Sequence, residues 1–143
     1  MPHGVILKGY YVRLINEYMT LSIVALLATA IVSAVSSQLI FKYWTSGFGA
    51  LPISLAGIFG LIGKILQSPL MLAGLFLYGL GFLAWIFLLS RATLSMVYPV
   101  SLSANIVLVL LLSRVFFHES FYFGQVLGVS LILVGIYFVF SFS

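Results

Sequence analysis

Apolar positions run in four long blocks: residues 21–41, 70–90, 94–113 and 121–141. None of the four contains Lys, Arg, Asp or Glu; all such residues lie before or between them. Each block is about 20 residues, and at ~1.5 Å rise per residue a helix of that length crosses the ~30 Å hydrocarbon core of a bilayer. Lipid offers no partner to a stray backbone N–H or C=O, so each block is expected to be a transmembrane helix. The pattern predicts an all-α integral membrane protein with four transmembrane helices.

The segments between the blocks refine this picture. The second connection is residues 91–93 and the third is residues 114–120, short enough to force neighbouring helices antiparallel. The first, residues 42–69, carries Ile53, Leu55, Ile58, Phe59, Ile62, Ile65 and Leu66 interleaved with Gly57, Gly60, Gly63 and Lys64. That spacing fits a short interfacial helix between the first and second spans; a flexible apolar linker is the alternative. Ser68-Pro69 then suits a helix start, with serine as cap and proline where no intrahelical donor is needed. Residues 1–18 read as a tail at the membrane surface, partly helical, and residues 19–143 as a single four-helix transmembrane domain. A signal peptide is disfavoured, because the apolar run continues through Ile40 and Phe41 into the interfacial anchor Lys42-Tyr43-Trp44.

Composition excludes several classes. The chain is 64% hydrophobic and 6% charged, whereas an ordinary soluble domain carries ~25% charged residues. The net charge of +4 is no nucleic-acid patch, since Lys8, Arg13, Lys42, Lys64, Arg91 and Arg114 stand singly beside apolar helices, where cations meet lipid headgroups. There is no cysteine, hence no disulfide or thiolate. No carboxylate pair, His cluster or phosphate loop offers a catalytic centre, a metal site or a cofactor site, so an enzyme is not expected. Arg13 and Glu17, at i and i+4, fit a surface pair. Glu119 and His118, at the turn between spans three and four, read as charge balance with Arg114 or as a gate and headgroup contact.

The cations also bear on orientation. With four spans, the tail, the second connection and the C-terminus share one side, with Lys8, Arg13 and Arg91. Lys42, Lys64 and Arg114 share the other. This even division permits insertion both ways round and an antiparallel homodimer; an orientation fixed by the tail or by a partner is the alternative.

Polar residues then mark faces. Ser22, Thr29, Ser33 and Ser36 lie within ~40° of one another on an α-helix, and Ala25, Ala30, Ser37 and Gln38 widen the strip. In lipid such a strip belongs against protein or a cavity, as a helix seam or as one wall of a pathway. Tyr98, Ser101 and Asn105, at i, i+3 and i+7, form a polar line in the third span. An unpaired amide costs ~1–3 kcal/mol by protein mutational data, so Asn105 must face a polar group, water or substrate. Pro99 removes a backbone donor beside this line, opening a kink or freeing a carbonyl. Tyr78 and Trp85 share a face of span two, as packing anchors or as ligands. Gly124, Gly128 and Gly135 share a face of span four and would admit another helix closely, as a dimer seam.

These residues, in this order, resemble the EamA-type drug/metabolite transporter superfamily. The likeness rests on Ser36-Ser37-Gln38-Leu39-Ile40-Phe41-Lys42, a tryptophan late in span two, Tyr98-Pro99-Val100-Ser101, Ser113-Arg114-Val115-Phe116-Phe117-His118-Glu119, Gln125-x-x-Gly128 and Gly135. It covers roughly residues 20–140. Four-helix members are the small multidrug resistance transporters and the paired subunits that flip undecaprenyl-phosphate-linked aminoarabinose; both act as dimers. The resemblance aligns Tyr98 with a pocket tyrosine of the multidrug branch and Gly128 and Gly135 with its dimer seam.

One departure separates the branches. The multidrug exporters carry a glutamate in helix one, roughly two helical turns before the closing lysine. Here that position is Ala34, and Ser33 and Val35 beside it are no acids either. The resemblance therefore implies first a subunit that flips a polyprenyl-phosphate-linked sugar in a bacterial or archaeal cytoplasmic membrane. Ser33, Ser36, Gln38, Tyr98, Ser101 and Asn105 would form its pathway. It would pair as a homodimer or as a heterodimer with a similar four-helix subunit. Export of cationic drugs or small metabolites without the glutamate, and a non-transporting accessory subunit of a membrane glycosyltransferase, are the alternatives.

Overall fold

The computed structural model describes the backbone of residues 3–49, 54–120 and 122–141, with side chains for 20–49, 54–120 and 122–138. The side chains of the Arg13–Glu17 pair, and Ile53 and Phe121, lie outside the described residues. The described residues form five helices in order: α1 (His3–Ser46), α2 (Leu55–Gln67), α3 (Pro69–Leu89), α4 (Leu94–Phe117) and α5 (Phe123–Ser141). Among the described residues, three stretches are long and apolar enough to cross a membrane: Thr20–Ser46 within α1, α3 and α4. The fourth expected span corresponds to α5, whose apolar window, Phe123–Phe138, is shorter.

Helix ends follow local chemistry. α1 is one helix of 44 residues, about 66 Å long, and it has no break at the tail boundary expected near residue 18. The first connection contains the helix α2 rather than a linker, although three of its residues are glycines. Ser54 caps it, its Oγ accepting from the Gly57 N–H at 3.1 Å. Leu55, Ile58, Phe59, Ile62 and Leu66 form one exposed apolar stripe along it. Ser68 then caps α3, accepting from the Met71 N–H at 3.3 Å, with Pro69 in the first turn.

α4 outruns the expected end at residue 113 by one turn. Arg114 lies in that last turn, where a cation meets the negative end of the helix dipole. The helix stops at His118, which adopts a left-handed conformation (φ 53°) while its N–H reaches the Arg114 carbonyl at 3.1 Å. At α5 the Gln125 side chain accepts from the Tyr122 N–H at 3.1 Å, half of a capping box.

The core is the seam between α1 and α3, with α4 against α1. A methyl group at Gly74 would lie 2.8 Å from the Phe41 ring, and one at Gly81 would lie 3.1 Å from Ser33 Cβ and 3.3 Å from the Ala30 carbonyl oxygen. Moving forward along α3 thus moves backward along α1, so the two helices are antiparallel. Ala30, Ile31, Val35, Met71, Ala84, Leu88 and Val97 are buried there. Glycine, alanine and serine mark the points of closest approach because, without a hydrophobic drive between helices in lipid, close backbone approach supplies the packing. Ser37, fully buried, satisfies its hydroxyl within α1 by donating to the Ala34 carbonyl at 2.8 Å.

Candidate substrate groove

Beside this seam, α1, α3 and α4 line an open groove of about 400 Å³, within the usual size range of small-molecule sites. α1 contributes Ala30, Ala34 and Gln38, each one turn beyond the last. α3 contributes Tyr78, Gly81, Phe82 and Trp85, and α4 contributes Tyr98, Ser101, Leu102 and Asn105. Gly81 serves twice: the close approach that locks α3 to α1 also brings Tyr78, Phe82 and Trp85 around the opening. Trp85 meets Tyr98 edge-on at 6.3 Å, and Tyr78 stands 6.3 Å from Phe41 on α1.

Pro99 lies inside α4 without ending it. Its carbonyl accepts from the Ser103 hydroxyl, so Ser103 is buried and spoken for while Ser101 faces the cavity. Among the described residues, the side chains of Gln38, Ser101 and Asn105 take no protein hydrogen-bond partner, and no polar side-chain atom that is fully buried lacks one. Their amides and hydroxyl face the groove and are free for water or a bound polar group. Among the described residues, no Lys, Arg, His, Asp or Glu lines the walls. The groove is polar, aromatic and uncharged.

Of the six residues expected along a pathway, Gln38, Tyr98, Ser101 and Asn105 lie together here. Ser33 is buried in the α1–α3 seam, and Ser36 is half-buried and outside the groove wall. A single polar strip on α1 therefore divides between two neighbours. Sequence reasoning passed over Phe82, Leu102 and the glycines of α3. Gly74 and Gly81 are seven apart, the spacing that drew attention to α5, and Phe82 falls between Tyr78 and Trp85 on one helical face.

The sequence model of the EamA-like transporter family matches residues 11–141. This chain belongs to the EamA-like transporter family. It is an integral membrane protein of the transporter type. Over 70 residues it is 51% identical to a probable 4-amino-4-deoxy-L-arabinose-phosphoundecaprenol flippase subunit ArnE of Aeromonas hydrophila, and 49% identical to its namesake in Aeromonas salmonicida. Those matches cover 49% of this chain and 60% of each relative, so the chain spans less than two thirds of their length. Both relatives are bacterial, and an archaeal source finds no support among them. No solved structure matches the chain.

Ala34, where the resemblance to the multidrug exporters would place a glutamate, lines the groove. On α5, a methyl group at Gly124, Gly128 or Gly135 would meet nothing within 4 Å. That face is open, and α5 packs chiefly on α4. At the end of the bundle away from residues 91–93, Lys42 Nζ lies 3.2 Å from Glu119 Oε1. Arg114 lies beside it and donates through Nη1 to the Glu119 backbone carbonyl at 3.3 Å.

Proposed function

We propose that this chain is one subunit of a dimeric transporter that moves a polyprenyl-phosphate-linked sugar across the bacterial cytoplasmic membrane. The observation that carries this reading is the uncharged groove, where Gln38, Ser101 and Asn105 offer unspent hydrogen-bonding groups among the rings of Tyr78, Phe82, Trp85 and Tyr98. Such walls suit a sugar, which presents hydroxyls at its rim and C–H faces to aromatic rings. The flippase subunits among the relatives support the same substrate class.

The remaining parts fit this reading. α5, at 19 residues and about 28 Å, serves as the fourth span. α2 lies along the interface with its apolar stripe in lipid. Gly124, Gly128 and Gly135 supply the seam for a second four-helix subunit, either a copy of this chain or a similar one. Cation export by proton exchange is the weaker reading, because no groove side chain is a carboxylate that could hold a proton or a drug in turn.

Reconstitution in vesicles with a labelled polyprenyl-phosphoryl sugar tests this. Wild type should move the label between leaflets, and Asn105→Leu should abolish movement while remaining folded and inserted. Stability should fall little or rise, because Asn105 has no protein partner to lose. Retained movement together with reduced stability would show that Asn105 ties helices together, and the groove reading would fail.

A further inference from the structure

We infer that Lys42 and Glu119 form an exchangeable ion pair at the groove mouth, in which Lys42 binds the phosphodiester of an incoming amphiphile and Glu119 holds the ammonium when none is bound. This rests on the groove being the substrate path. Ala30, Ala34 and Gln38 descend α1 one turn apart along the groove wall. The next position on that stripe is Lys42, about 6 Å beyond Gln38 along the axis. Since the walls carry no charge, a sugar inside them leaves its attached phosphodiester without a counter-charge until it reaches Lys42.

The ion pair is built to open. Its side chains are 56% and 47% exposed, and exposed pairs of this kind contribute little to stability. Glu119 does not need Lys42 to stay in place. The link it belongs to is fixed by the left-handed turn at His118 and by Arg114 Nη1 on the Glu119 carbonyl. The carboxylate is therefore a replaceable ligand on a fixed backbone. The flexible four-carbon stem of Lys42 lets the ammonium swing from Glu119 toward the mouth.

Trp85 lines the groove and Trp44 does not, so Trp44→Phe leaves a single reporter of occupancy in the full-length, detergent-purified protein. Three probes are titrated: a decyl glucosyl phosphodiester, neutral decyl glucoside and inorganic phosphate. The diester and the glucoside should change Trp85 emission, whereas inorganic phosphate should not. Lys42→Gln should weaken diester binding about two- to fivefold and Glu119→Gln should tighten it by a similar factor. Neither should alter glucoside binding, and Lys42→Arg should keep the wild-type preference. Raising salt should weaken the diester alone.

Equal effects of Lys42→Gln on both amphiphiles, or none on either, would overturn the exchange while leaving the groove reading intact. Absence of a Trp85 response to both amphiphiles in the Trp44→Phe protein would overturn the groove reading and this inference with it. Should Lys42→Gln fail to fold, the opposite shift in Glu119→Gln and the salt dependence of wild type still decide. A Trp85 response to inorganic phosphate would point to free phosphate in place of a lipid-linked one and would also overturn the proposal.

Discussion

Two glycines on α3, two residues apart, do opposite things. At Gly81 a methyl group would press on Ser33 Cβ at 3.1 Å and on the α1 backbone at the Ala30 carbonyl oxygen, 3.3 Å away. Backbone cannot step aside as a flexible side chain can. At Gly79 a methyl group would meet nothing within 4 Å. Gly81→Val should therefore destabilise the protein by about 1–3 kcal/mol through overpacking, and should distort the groove by pushing α3 away from α1. Gly79→Ala should be neutral or gain about 0.5–1 kcal/mol, since alanine favours helix over glycine. Thermal unfolding in detergent checks both, and equal losses at the two positions would mean that glycine matters on α3 for a reason other than the seam. At this scale the sequence was half legible. Asn105, Tyr98 and Ser101 declared themselves because polar side chains are costly in lipid. Gly74 and Gly81 did not, because a glycine's role depends on what approaches it, and only the neighbouring helix tells.

Where each helix stops was decided by side chains more than by hydrophobicity. The apolar blocks located α3 and α4 within a few residues, because a charge-free run of that length has one stable form in a bilayer. They could not find the end of α4, because Val115, Phe116 and Phe117 continue the apolar character past Arg114 and a cation in the last turn supports the helix. Nor could they choose helix over linker for α2, where the Ser54 cap and the apolar stripe outweigh three glycines. The end of α4 rests on His118, whose φ of 53° crowds any Cβ. His118→Val should cost about 1–2 kcal/mol, His118→Asn should change little, and His118→Gly should hold or raise stability by up to about 1 kcal/mol. Thermal melts of the three variants give this order; loss of stability in the glycine variant would show that the imidazole, not the backbone, terminates the helix.

At the scale of the whole molecule, one face of the bundle is left open within the chain. α1 and α3 bury a seam and α4 closes the groove, but α5 buries none of its described residues and leaves three glycines facing nothing. The Lys42–Glu119 pair places the first and third connections at one end of the bundle, so Lys42, Lys64 and Arg114 share that end while Arg91 lies with the short turn at the other. Counting Lys8 and Arg13 with Arg91 gives the even division of cations already seen along the sequence, and with it a weak orienting force. Two outcomes follow for the partner. If the chain pairs with itself head to tail, a single cysteine introduced at Ala92 in this cysteine-free protein should react with a membrane-impermeant maleimide from both sides. If the partner is a different four-helix subunit, that cysteine should react from one side only, and the chain alone should give no dimer on crosslinking. In both cases Gly128→Leu should insert and fold normally as a monomer, because its side chain meets open space within the chain. It should fail to pair, because a bulky residue keeps the second helix away. An undiminished dimer in Gly128→Leu and in Gly135→Leu would move the seam off α5, and the open face would then be lipid-facing surface.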